Sequence, residues 1–249
     1  MEAWIQKLLL WVFPVIISVT WHEVAHAYVA KLRGDKTATE GRLLRWNPFY
    51  HLDGIGTIIV PVVMILMNSG LVYGWGRPLP INPNVLKNPQ IDRPLVAISG
   101  LLMCLVMAFL FSLLLYLGDY LASMQQNQLA LIINETGNNG ISINMTIFLV
   151  NLLPIPPMDM GRFVESFLSK RHRYFLNLFE PVGLIIAVII LFLSPTKAMI
   201  APAQQSLCKW VISSSDSAVA ATRKQANKLW QRSLKALPSP SEYMGPSSR

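Results

Sequence analysis

The side chains most able to do chemistry are gathered in Thr20-Trp21-His22-Glu23-Val24-Ala25-His26, where three ionisable residues interrupt an otherwise apolar run. Residues four apart lie on one face of a helix, so His22 and His26 can hold one zinc ion through imidazole nitrogens. Glu23 stands beside the first of them. A carboxylate there can take a proton from a water polarised by the metal, which is why the His-Glu-x-x-His spacing reads as a zinc hydrolase helix. The competing reading is a polar seam in which the three side chains satisfy one another. Four histidines in 249 residues make an accidental match rare, on the order of one sequence in a hundred.

A second unusual stretch is Asn151-Leu152-Leu153-Pro154-Ile155-Pro156-Pro157-Met158-Asp159-Met160-Gly161, inside an apolar segment from Ile141 to Leu168. Its prolines leave backbone carbonyls without helical partners, and irregular backbone at membrane depth is tolerated only within protein or beside a wet cavity, so this element should line a site. Asp159 then suits the role of third metal ligand, with a helix-capping aspartate as the alternative. His22, His26 and Asp159 would leave the fourth position of one zinc per chain to water, as a catalytic site requires. The charges also balance: two carboxylates, Asp159 and Glu23, against a divalent cation lower the cost of burial. His51 and His172 read as surface residues, since neither has a second ligand at a suitable spacing.

The elements that must position these residues belong to a membrane protein. Hydrophobic residues make up 53% of the chain and charged residues 14%, a balance that soluble domains do not show. The net charge of +8 is unevenly spread, so it informs topology and does not point to nucleic acid. Cys104 and Cys208 form neither a disulfide framework nor a cysteine zinc site. The first apolar segment, Ile5 to Leu32, imitates a signal peptide down to Ala25-His26-Ala27, but cleavage there would cut through the histidine pair, so it is expected to be a retained transmembrane helix.

Gly41 to Pro48 is too short for a helix and predicts a small β-hairpin at the membrane surface. Gly56 to Tyr73 is interrupted by Pro61, Asn68 and Gly70. Gly74 to Pro94 reads as an irregular connector, Leu95 to Leu117 as an apolar helix, Asp119 to Asn139 as a polar loop, and Phe175 to Leu193 as a last apolar segment. The expected fold class is an all-α polytopic membrane protein with about 4–5 transmembrane helices, a re-entrant segment and a membrane-associated β-hairpin. Residues 1–194 form the membrane-embedded domain with the zinc motif, and residues 195–249 a basic tail that is interfacial and then disordered.

Taken in order, these motifs resemble the site-2 protease family of intramembrane zinc metalloproteases, in its short form without a PDZ domain. The resemblance runs from about Thr20 to Gly183 and rests on His22-Glu23-x-x-His26, Gly41-Arg42 through Asn47-Pro48, His51-Leu52-Asp53-Gly54-Ile55-Gly56-Thr57, Gly74-Trp75 through Asn82-Pro83, and Asn151 through Arg162. It implies a multi-pass protein of the cell membrane that cuts peptide bonds in or near transmembrane segments of other membrane proteins. His22, His26 and Asp159 would be the zinc ligands and Glu23 the general base. Two stretches depart from the family. Met158-Asp159-Met160 stands for its usual Leu-Asp-Gly, and Gly100-Leu101-Leu102-Met103-Cys104 for its Gly-Pro-x-x-Asn, which bears on packing and substrate range and leaves the ligands untouched. A substrate helix must unwind before cleavage, and the predicted hairpin could hold it as an added strand.

Basic residues set the expected topology. Lys31, Arg33, Lys36, Arg42 and Arg45 lie in one loop and Arg77, Lys87 and Arg93 in the next, whereas Asp119 to Asn139 has none. The positive-inside rule places the first two loops in the cytoplasm and the third outside, so Gly56 to Tyr73 should dip into the membrane and return. Two other function classes compete. A proton or metal transporter would need polar residues at matching depth in other helices, and Leu95 to Leu117 has almost none. A catalytically silent membrane-protein binder would keep the fold without turnover.

Overall fold

The computed structural model describes residues 3–37, 50–67, 69–77, 82, 85–178, 180, 183, 189 and 200–220. Two compact units are distinguished, Met1–Val211 and Ile212–Arg249. The first holds α1 (Ala3–Leu32), a π-helical turn (Gly54–Ile59), α2 (Val60–Leu66), α3 (Pro89–Ser123), α4 (Asn127–Asn151), α5 (Asp159–Glu165) and α6 (Lys170–Leu178), with residues 200–211 also helical. Of the second unit, residues 212–220 are helical. The protein is mostly helical, and the described residues include no strand beyond an isolated antiparallel bridge between Leu52 and Gly76. The predicted hairpin at Gly41 to Pro48 lies outside the described residues, as does most of Phe175 to Leu193.

Among the described residues two helices are long and apolar enough to cross a membrane, Trp4–Leu32 and Pro89–Ser123. The second extends well beyond the expected Leu95 to Leu117. Asp119 to Asn139, expected as a loop, is helical on both sides of a short turn at 124–126. The reason is helix pairing: α3 and α4 make the most extensive contact in the molecule, and their glycines let the backbones close up. A Cβ on Gly140 would fall 2.1 Å from the Phe111 ring. Later in α4, Asn144 and Asn151 are buried. Buried Asn144 donates to Ser18 Oγ at 2.7 Å and to the Gly140 carbonyl at 2.8 Å, and such pairs are what make buried amides tolerable.

The core gathers Val15 and Val19 of α1, Met64 and Ile65 of α2, the stretch Leu71 to Tyr73, Cys104 of α3, and Ile143, Ile147 and Val150 of α4. Gln204 joins residues 200–211 to this core by donating to the Ser142 carbonyl and hydroxyl at 3.2 and 2.7 Å.

Between α1 and α3 the chain goes out and comes back. Asp53 caps the π-helical turn by accepting from Ile55 N and Gly56 N at 3.0 and 2.6 Å, and α2 ends at Leu66. An extended run then returns to its starting point. Trp75 N donates to Gly56 O at 3.2 Å and Arg77 N to His51 O at 2.8 Å. The connector is tied to the turn that follows α1: Lys87 N donates to Arg33 O at 2.9 Å, and buried Asp35 accepts from Asn82 N at 2.7 Å.

Candidate metal centre

Three elements build the site. α1 presents His22 and His26 from consecutive turns, with their rings edge to face and centroids 4.8 Å apart. Asp159 arrives from the other end of the chain. α4 stops at Asn151 because Pro154, Pro156 and Pro157 cannot continue a helix, and the elbow they form delivers Asp159 as the first residue of α5. Asn151 Oδ1 accepts the Asp159 N–H at 3.3 Å and orients the turn. α3 closes the back. Gly100 leaves space for the imidazoles, since a Cβ there would lie 2.3 Å from His26 Nε2 and 2.6 Å from His22 Cε1.

The three ligand atoms converge. His22 Nε2 and His26 Nε2 are 3.3 Å apart, His22 Nε2 is 3.4 Å from Asp159 Oδ2, and His26 Nε2 is 3.1 Å from Asp159 Oδ1. Zinc–ligand bonds of about 2.0–2.1 Å at tetrahedral angles imply ligand separations of about 3.3–3.4 Å, so the spacing fits that ion. The donor chemistry suits a cation as well. His26 Nδ1 faces the Val96 carbonyl at 2.7 Å, an acceptor only, so Nδ1 carries the proton and the neutral ring offers its Nε2 lone pair. That lone pair points at a carboxylate and a second ring nitrogen in a buried site, and Asp159 Oδ2 has no hydrogen-bond donor among the described residues. Buried acceptors facing one another are unfavourable unless a positive ion lies between them. His22, His26 and Asp159 are the residues that could hold it, and zinc is the metal that this donor set and spacing fit.

Glu23 lies on the same cavity wall and is half-buried. The rest of the wall comes from Val19, Tyr73 to Gly76, Asn151, Pro157 and Arg162. Arg162 is held toward its rim by an ion pair with Glu180, Nη2 to Oε1 3.0 Å. The site thus brings together all four sequence-predicted residues. His51 is buried rather than superficial, next to the returning strand and outside the ligand cluster, whereas His172 is exposed, on α6. Gly74-Trp75 and the residues after it carry part of the resemblance, but sequence reasoning takes Trp75 and Gly76 for a connector and gives them no place in the site. The available signal was the glycine–aromatic–glycine alternation, since a glycine on an extended run marks a close backbone approach.

No family model matches the chain, and no solved structure matches it. A protein of Bacillus subtilis (strain 168) bearing the name "Putative zinc metalloprotease YwhC" is 35% identical over 184 residues, which cover 74% of this chain and 80% of that protein.

Proposed function

Because the chain belongs to the same zinc metalloprotease family as that Bacillus protein, we propose that it is a site-2 protease-type intramembrane endopeptidase, cutting peptide bonds in or near transmembrane segments of membrane proteins. The observation that carries this reading is the placement of His22, Glu23 and His26 within a helix long and apolar enough to cross a membrane, where Asp159 completes the ligand set. Buried ionisable groups in such a helix are functional by default. The outer face of α3 agrees. Leu102, Val106, Leu110, Leu113 and Leu117 recur at helical spacing and are all exposed, whereas a helix facing water would be polar there. Lipid is the solvent that suits that stripe, and a multi-pass protein of the cell membrane is the location that follows.

Zinc, when bound, supplies Lewis acidity toward the scissile carbonyl and its water. The protein's own groups do the rest. His22, His26 and Asp159 hold the ion, and the Glu23 carboxylate takes the proton of the attacking water and passes it to the leaving amine nitrogen as the peptide bond breaks. The substrate must be extended to present that bond. The edge that would hold it is the run through Gly74 to Gly76. Trp75 and Arg77 turn their N–H groups toward Gly56 and His51, so strand alternation turns the backbone of Gly74 and Gly76 the other way. Gly76 faces Leu52 on the inner side, but among the described residues neither glycine makes a backbone hydrogen bond of its own, and both line the cavity beside Glu23. A peptide could add there as a strand, with main-chain bonds for affinity.

The test compares wild type with Glu23→Gln in detergent on a membrane-protein substrate with a helical segment. Full zinc content with cleavage lost in the variant is the expected result. Cleavage that survives Glu23→Gln would refute the general-base assignment, and the membrane proteome of cells carrying each form would identify the substrates.

A further inference from the structure

A zinc-bound histidine is seldom held by the metal alone. Its second ring nitrogen is usually fixed by an outer acceptor that sets the tautomer and the ring angle. One face of α3 supplies that outer layer for both histidines. Near its start, His26 Nδ1 donates to the Val96 carbonyl at 2.7 Å, and Ser99 Oγ stands 3.3 Å away, its own hydroxyl turned to the same carbonyl. Further along the same face, Cys104 Sγ lies 3.3 Å from His22 Nδ1, and the Gly100 carbonyl also meets this ring.

Cys104 is completely buried. Its sulfur is not a fourth ligand in this geometry. The ligand atoms that lie within 4.8 Å of one another come from His22, His26 and Asp159 and do not include it. The thiol sits instead behind the imidazole, at the nitrogen remote from the one that faces His26 and Asp159.

We propose that Cys104 is a positioning residue for the metal: its sulfur accepts the His22 Nδ1–H, holds the tautomer whose Nε2 lone pair faces the ion, and so raises metal affinity without coordinating. This rests on the zinc reading above. Sulfur is a weaker acceptor than a carbonyl, and the Gly100 carbonyl stands beside the same ring, so the thiol holds His22 together with that carbonyl. A serine hydroxyl at position 104 is close in size and can accept the same proton, whereas alanine cannot.

The experiment measures zinc affinity by chelator competition for the full chain in detergent, comparing wild type, Cys104→Ser, Cys104→Ala and His22→Ala. Second-sphere losses typically weaken metal binding 10–100-fold, so Cys104→Ala should bind about tenfold more weakly or worse, with Cys104→Ser within about threefold of wild type. Cobalt-substituted wild type should lack a thiolate-to-cobalt charge-transfer band. An alanine variant as tight as wild type, or a serine variant as weak as alanine, overturns the proposal. So does a charge-transfer band, which would make the sulfur a ligand. Wild type that binds zinc no better than His22→Ala would instead overturn the metal reading itself.

Discussion

Replacing Gly100 by alanine should strip the site of zinc while leaving the helix that carries it stronger. The added Cβ would meet His26 Nε2 at 2.3 Å, His26 Cε1 at 2.5 Å and His22 Cε1 at 2.6 Å, where ordinary contact begins at 3.4 Å. The rings must therefore retreat by about 1 Å, several times the roughly 0.2 Å over which zinc–ligand distances are tolerant. Neither ring can retreat freely, because His26 is pinned to the Val96 carbonyl and both are buried among α3 and α5. Alanine is favoured over glycine by about 1 kcal/mol in a helix interior, so any loss comes from the contact and not from α3 unwinding. The assay is zinc per chain after dialysis against a weak chelator, with far-ultraviolet circular dichroism to follow helix content. Expected are native helicity and zinc affinity lowered at least about 100-fold, the upper end of what one misplaced outer-sphere partner costs. A Gly100→Ala protein that keeps a full zinc equivalent would refute the packing argument, because the alanine and two coordinating rings cannot share that space.

Three further outcomes follow from the same geometry. Gly76→Ala would set a Cβ 2.6 Å from Glu23 Cγ. Displacing a catalytic group by about 1 Å can cost 100-fold in rate, so kcat should fall steeply while zinc content, read on the same sample, stays intact. His22→Ala, His26→Ala and Asp159→Ala should each lose the metal, and full retention in Asp159→Ala would remove Asp159 from the ligand set. With Cys104 and Cys208 changed to serine, single cysteines at Lys36 and Lys87 should both be shielded from an impermeant outside reagent while one at Asn127 is labelled. Arg33 and Lys87 are hydrogen-bonded neighbours, so labelling of Lys87 alone would contradict the described arrangement.

The parts of this molecule that could be read from its sequence are those whose chemistry is local. His22, Glu23 and His26 announce themselves by spacing on one helix, and Asp159 by the prolines that precede it. Their meeting was expected because a buried metal-ligand set needs a third member and charge balance. What escaped were contacts between stretches far apart in sequence. Gly100 reads as one more small residue in an apolar helix, because nothing in its neighbours tells that two imidazoles occupy the space of its missing side chain. The return of Leu71 to Arg77 depends on Thr57 Oγ1 donating to the Trp75 carbonyl at 2.8 Å, a pairing that no local periodicity encodes. The polarity of Asp119 to Asn139 suggested a loop, since the sequence shows that an amide is polar and not whether a partner awaits it, as the Leu10 carbonyl awaits Asn139.

A metal drawn from α1 on one side and from the elbow before α5 on the other does more than chemistry. His26 and Asp159 are more than a hundred residues apart in sequence, so an ion shared between them would also be a crosslink closing that long stretch of chain into a loop. The histidine pair is formed as soon as α1 is helical, but Asp159 joins only once α5 has docked on α3, which makes full-strength binding a readout of completed folding. By linkage, free zinc at about a thousand times its dissociation constant would add roughly 4 kcal/mol to the folded state. Metal supply would then govern how long the protein lasts as well as how fast it works, and a chain that never acquires its ion would be removed as a misfolded one.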